Sequence, residues 1–147
     1  MSYRKVLISV DNSDFSMKIA EQGVELSSQL GADISIVLVV DTAKVNKDPE
    51  SIMLPQDQIN KLKKEANERI DRIIKEFPDF TFERFIPEGK PSKEIVGIAN
   101  TWNADLIVMG TKGKSGLKRL LMGSTAENTL RLSNVPILIV PSKTDIT

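Results

Sequence analysis

Leu106-Ile107-Val108-Met109-Gly110-Thr111-Lys112-Gly113-Lys114-Ser115-Gly116-Leu117-Lys118-Arg119-Leu120-Leu121-Met122-Gly123-Ser124-Thr125 reads as a buried strand, then a glycine-rich basic loop, then the start of a helix. Upstream, a helix is expected over 92–100, and downstream the helix from Ser124 to Leu132 leads into the apolar run Ile137 to Val140. Nearer the amino terminus the same alternation repeats. Lys5 to Val10 is a β-branched apolar run, ended by Asp11-Asn12-Ser13-Asp14, which can cap a helix. Met17, Ala20, Val24 and Leu30 then recur at helical spacing until Gly31. Ile34 to Val40 predicts a second buried strand, and Thr42 to Pro55 a mobile loop rich in polar residues. From Gln56, the stripe Ile59, Leu62, Ala66, Ile70, Ile73 and Phe77 predicts a long amphipathic helix. Thr81 to Ile86 alternates as an edge strand does, closed by Pro87, Gly89 and Pro91.

Five strands alternating with four helices imply an α/β class, a parallel, doubly wound sheet with helices on both faces, because right-handed crossovers leave few other packings. At 147 residues, one domain over 1–147 is expected. Hydrophobic residues make up 40% and charged residues 27%, an ordinary globular balance with no apolar run of membrane-spanning length. The strand beginning at Lys5 leaves no room for a signal-peptide core, so no export and a cytoplasmic location are expected.

Lys plus Arg and Asp plus Glu both number 20, so no net field draws nucleic acid or an anionic membrane. With neither cysteine nor histidine, the chain cannot form disulfides, Ser-His-Asp or Cys-His catalytic sets, or zinc sites of the Cys and His type. The charge that stands out is local. Lys112, Lys114, Lys118 and Arg119 lie between Gly110 and Thr125 with no carboxylate among them. Ligands of open α/β sheets bind beyond the carboxyl ends of the strands, where glycine lets backbone approach a phosphate. Gly110 and Gly113 suit that approach, and Gly123, Ser124 and Thr125 form a helix amino terminus that favours an anion. The loop is not a Walker loop, which would need glycine at Val108, nor a dinucleotide fingerprint, which would need glycine at Thr111.

Gly110, two residues, Gly113, nine residues, then Gly123-Ser124 resembles the nucleotide signature of the universal stress protein family. The likeness extends through Asp11, Val39-Val40-Asp41, Ala104 to Gly110 and Val135 to Val140. The resemblance is to the ATP-binding branch and implies an adenine nucleotide alpha hydrolase-like sheet ordered 3-2-1-4-5. It further implies that Asp11 and the backbone of Val39 hold the adenine or ribose end of ATP. Gly110, Lys112, Gly113, Gly123, Ser124 and Thr125 would hold the phosphates, with Mg²⁺ accompanying them. A homodimer through the last strand is also implied. The function so expected is a nucleotide-responsive stress regulator. The alternatives are a slow ATPase or phosphotransferase using the same pocket and a dimeric interaction module independent of nucleotide.

Overall fold

A computed structural model describes residues 2–111 and 122–142. The first strand, β1, runs Lys5–Ser9, and its Val6, Leu7 and Ile8 are fully buried, as a central strand requires. Helix α1 follows over Ser16–Leu30 and is stopped by Gly31, whose φ of 65° is left-handed. Strand β2 is Asp33–Val37, a two-residue strand β3 is Val40–Asp41, and one 3₁₀ turn covers Thr42–Lys44. Then come α2 (Pro55–Lys75), β4 (Phe82–Phe85), β5 (Glu88–Gly89), α3 (Pro91–Trp102), β6 (Leu106–Gly110), α4 (Ser124–Leu132) and β7 (Ile137–Val140). Pro55 and Pro91 open their helices, where a missing N–H costs nothing.

Five strands form one sheet in the order β4-β2-β1-β6-β7, all pairings parallel, which is 3-2-1-4-5 among the strands of that sheet. The pleat divides the core into two layers. Val6, Ile8, Ile34 and Ile36 pack with Ile19, Ala20 and Val24 of α1 and with Ala66, Ile70 and Ile73 of α2. On the opposite face, Leu7, Val37, Ile107 and Met109 pack with Ile95 and Ala99 of α3 and Ala126 of α4. Helices therefore cover both faces. Gly23 lets α1 approach β1 closely, since a Cβ there would come within 2.5 Å of Ile8 Cδ1.

The second strand departs from the sequence expectation, which ran it unbroken to Val40. It stops at Val37, and Val40–Asp41 pairs instead with Glu88–Gly89 in a separate two-stranded sheet. The cause lies in the neighbours. The N–H groups of Leu38 and Val40 donate to Phe85 O (3.0 Å) and Pro87 O (2.8 Å), so this chain stays beside the β4–β5 segment while the chain after β1 turns away. The expected loop after Asp41 is also more organised than its composition predicts. Gln58 binds the two ends of the 46–53 stretch: its Nε2 donates to Asn46 O and Met53 O, and its Oε1 accepts from Asn46 N–H at 2.8 Å.

Candidate functional site

At the carboxyl ends of the strands, on either side of the point where the order reverses between β1 and β6, lies a cleft of about 460 Å³. One wall is Ser9, Val10 and Asp11 at the end of β1. The other is Met109 and Gly110 at the end of β6, and the first turn of α4 supplies Gly123, Ser124 and Thr125. Val39, Asp41 and Lys44 line it from the β2–β3 side. Six of the eight sequence-predicted residues, Asp11, Val39, Gly110, Gly123, Ser124 and Thr125, thus line one cleft. Lys112 and Gly113 lie outside the described residues, as do Lys114, Lys118 and Arg119.

Each residue has a structural reason for its position. Asp11 does not cap α1 as its composition allows: the residue preceding that helix is Phe15, with no side-chain cap. Instead Asp11 Oδ1 accepts from the N–H (3.0 Å) and hydroxyl of Ser13, closing an Asx turn. Among the described residues, its second carboxylate oxygen has no partner. Val39 sits at the break between β2 and β3. Because successive residues of an extended chain point their N–H and C=O to alternate sides, and those of Leu38 and Val40 face β4 and β5, Val39 presents its pair to the opposite side, where β1 has ended. No described residue hydrogen-bonds to either group. A donor and an acceptor therefore stand side by side on the cleft lining.

Gly110 lacks a side chain for a different reason from the one its motif implies. A Cβ there would meet Ile19 Cδ1 at 2.8 Å and the Phe15 ring at 3.0 Å, so the glycine serves the packing of α1 on β6. Gly123 is likewise not a bare donor. Its N–H goes to Thr111 O, and Thr111 is tied to the last strand through its own N–H to Val140 O (3.1 Å) and its hydroxyl, which accepts from Ser142 N–H (3.1 Å). The unpartnered amides of α4 begin one residue later. Glu127 N–H makes the first intrahelical bond, to Gly123 O, which leaves those of Ser124, Thr125 and Ala126 without a partner among the described residues. With the helix dipole behind them, they give this end of α4 a partial positive charge.

Lys44, Pro91 and Ile95 also line the cleft and were not singled out by the sequence reading; Asp41, which entered the family likeness without a site role, lines it too, and Met109 is both core and cleft wall. A signal existed for Pro91: it follows a strand end at the same rim as Asp11 and Gly110. Asp41 caps the 3₁₀ turn, accepting from Ala43 N–H at 3.0 Å. Among the described residues no group of three or more acidic side chains converges as a metal site, and no helix is long and apolar enough to cross a membrane.

In sequence and in fold this chain is similar to known proteins. Universal stress protein MJ0531 of Methanocaldococcus jannaschii is 33% identical over 140 residues, covering 94% of this chain and 82% of that protein. The solved structure of MJ0577, a universal stress protein of the same organism, superposes with a TM-score of 0.85 at 31% identity over 99% of this chain and all of its own. A universal stress protein solved in complex with cAMP shares the fold at a TM-score of 0.66 and 24% identity, over 97% of this chain and all of its own. The family model for universal stress proteins matches residues 2–141, and this chain belongs to that family.

Proposed function

We propose that this protein binds ATP in the cleft between β1 and β6 and acts as a nucleotide-responsive regulator in the stress response. One observation carries the reading: a backbone N–H and C=O at Val39, a carboxylate oxygen on Asp11 and the first amides of α4, all without a partner among the described residues, line a single cleft whose volume suits a nucleotide. The Val39 N–H and C=O complement the N1 acceptor and N6 amino donor of adenine. Guanine would set its N1–H against the N–H and its O6 against the C=O, leaving four polar groups unpaired. Asp11 accepts from a ribose hydroxyl, and Ser124 to Ala126 donate to phosphate oxygens. The cAMP complex of a relative supports an adenine nucleotide as the ligand class.

Mg²⁺ enters with the triphosphate. It would be held by phosphate oxygens and water, in keeping with the cation's reluctance to shed its hydration shell. The same reading includes a homodimer through β7. Among the described residues that strand is an edge of the sheet, and Leu138 on it is 39% exposed. The test is calorimetry with ATP, GTP and cAMP. Saturable ATP binding with GTP weaker by about tenfold or more is expected from the unpaired groups. No heat from ATP at millimolar concentration refutes the reading.

A further inference from the structure

Asp11 can select a ribose only if its carboxylate is held at a fixed angle, and the turn that carries it is short and solvent-facing. The Asx bond to Ser13 fixes Oδ1 within the turn, and Ser13 O accepts from the N–H and hydroxyl of Ser16, which fastens the turn to α1. Both contacts lie within the connection from β1 to α1. A third one reaches beyond it. Arg69, on α2, donates from Nε to Asn12 Oδ1 at 3.0 Å. Its side chain is only 17% exposed, while α2 is anchored immediately beside it by the buried Ala66 and Ile70. The same guanidinium lies 3.6 Å from Asp14, whose carboxylate is fully exposed, so that second pair adds little.

We infer that Arg69 is a positioning residue for nucleotide selection: through Asn12 it fixes the peptide that carries Asp11, and so sets the carboxylate against the ribose. This rests on the nucleotide reading above. A half-buried guanidinium suits the task because its planar N–H geometry holds an amide oxygen directionally. Loss of either partner leaves the turn held by its own Asx bond and by α1 alone, and the Asp11 carboxylate then meets the sugar over a wider range of orientations. α2 thereby becomes part of the site although none of its residues lines the cleft.

The test compares ATP with 2′-deoxy-ATP and 3′-deoxy-ATP by calorimetry in wild type, Asp11→Ala, Asn12→Ala, Arg69→Met, the Asn12→Ala/Arg69→Met double variant and Asp14→Asn. Wild type should prefer ATP over the more weakly bound deoxy analogue by about tenfold, the worth of one charge-assisted hydrogen bond. Asn12→Ala and Arg69→Met should each cut that preference by about fivefold, and the double variant should be no worse than either single one, because both remove the same contact. Asp14→Asn should match wild type. A purely structural role for Arg69 would lower affinity for all three nucleotides equally and leave the preference intact; that result overturns the inference. So does an Asp14→Asn effect as large as that of Arg69→Met. Should Arg69→Met fail to fold, Asn12→Ala, a truncation in a partly exposed turn, decides alone. If wild type does not bind ATP, or Asp11→Ala leaves the preference unchanged, the ribose assignment falls and takes this inference with it. If both hold while Asn12→Ala and Arg69→Met keep the full preference, only the role of Arg69 is refuted.

Discussion

Replacing Gly110 by alanine separates two explanations of a glycine at the heart of the cleft. If the glycine exists to let a phosphate approach the backbone, alanine should spare the fold and abolish binding. The geometry argues the reverse. The added methyl would stand 2.8 Å from Ile19 Cδ1 and 3.0 and 3.3 Å from two atoms of the Phe15 ring, where ordinary carbon contacts are about 3.5–4.0 Å. Ile19 Cδ1 is the far end of a side chain and can swing, whereas the ring of Phe15, seated at the start of α1, has less room. Overpacking of this kind costs about 1–2 kcal/mol, toward the lower end of the usual range. For a chain of this length, that lowers the melting temperature by roughly 3–6 °C. The assay is a thermal melt with and without excess ATP. At a hundredfold excess over Kd, ATP should raise the midpoint of both proteins by a similar amount, on the order of 8 °C for about 2.7 kcal/mol of linkage. A Gly110→Ala protein that melts like wild type but gains nothing from ATP would refute the packing argument and restore the phosphate explanation.

Two other glycines lie inside helices and should respond oppositely to the same substitution. At Gly97 a Cβ meets nothing within 4 Å, so Gly97→Ala should raise stability by about 1 kcal/mol through helix propensity alone. At Gly23 it would lie 2.5 and 2.6 Å from Cδ1 and Cγ1 of the fully buried Ile8, and Gly23→Ala should lose about 1–3 kcal/mol in urea denaturation despite the same propensity gain. Leu138→Asp, placing a charge on the edge strand β7, should convert a dimer to a monomer in light scattering while leaving ATP affinity unchanged. A wild type that is already monomeric would remove the β7 interface from the reading. Gln58→Ala removes the bonds joining Asn46 to Met53 and should speed amide exchange across residues 45–54 while that of β1 stays at its wild-type rate.

The order of elements was legible because burial leaves a plain trace: Val6 to Ile8 and Ile107 to Met109 are unbroken apolar runs, and the amphipathic stripe of α2 shows its inner face. The helix stop at Gly31 was legible from backbone chemistry alone, and the expected start of α3 at 92 fell one residue after the observed one. The break after Val37 was not. An apolar run from Ile34 to Val40 reads the same whether its neighbour on one side continues or turns away, and only the assembled sheet reveals that β1 has ended. Strand β5, with two residues, is too short to show any period. Gly110, singled out from the motif spacing, lies on the cleft lining, and its missing side chain also makes room for Phe15 and Ile19, which spacing alone could not show. Pro91 and Ile95 escaped notice because their part in the cleft depends on α3 crossing back over the strand ends.

The cleft's described chemistry belongs largely to the backbone, and that has a consequence for how its specificity can change. The donors of Val39 and of the first turn of α4 come with the fold, so no substitution that preserves the fold removes them. Among the described residues, the charged side chains on the lining are Asp11, set against the sugar on this reading, and Asp41 and Lys44 on the β2–β3 side. A change of base preference therefore requires moving the β2–β3 break, which hydrogen bonds to Phe85 and Pro87 hold in position. A change of sugar preference requires only a different residue at position 11 or a slackened grip on the turn behind it. Sugar selectivity should accordingly yield to single substitutions, and base selectivity should resist them.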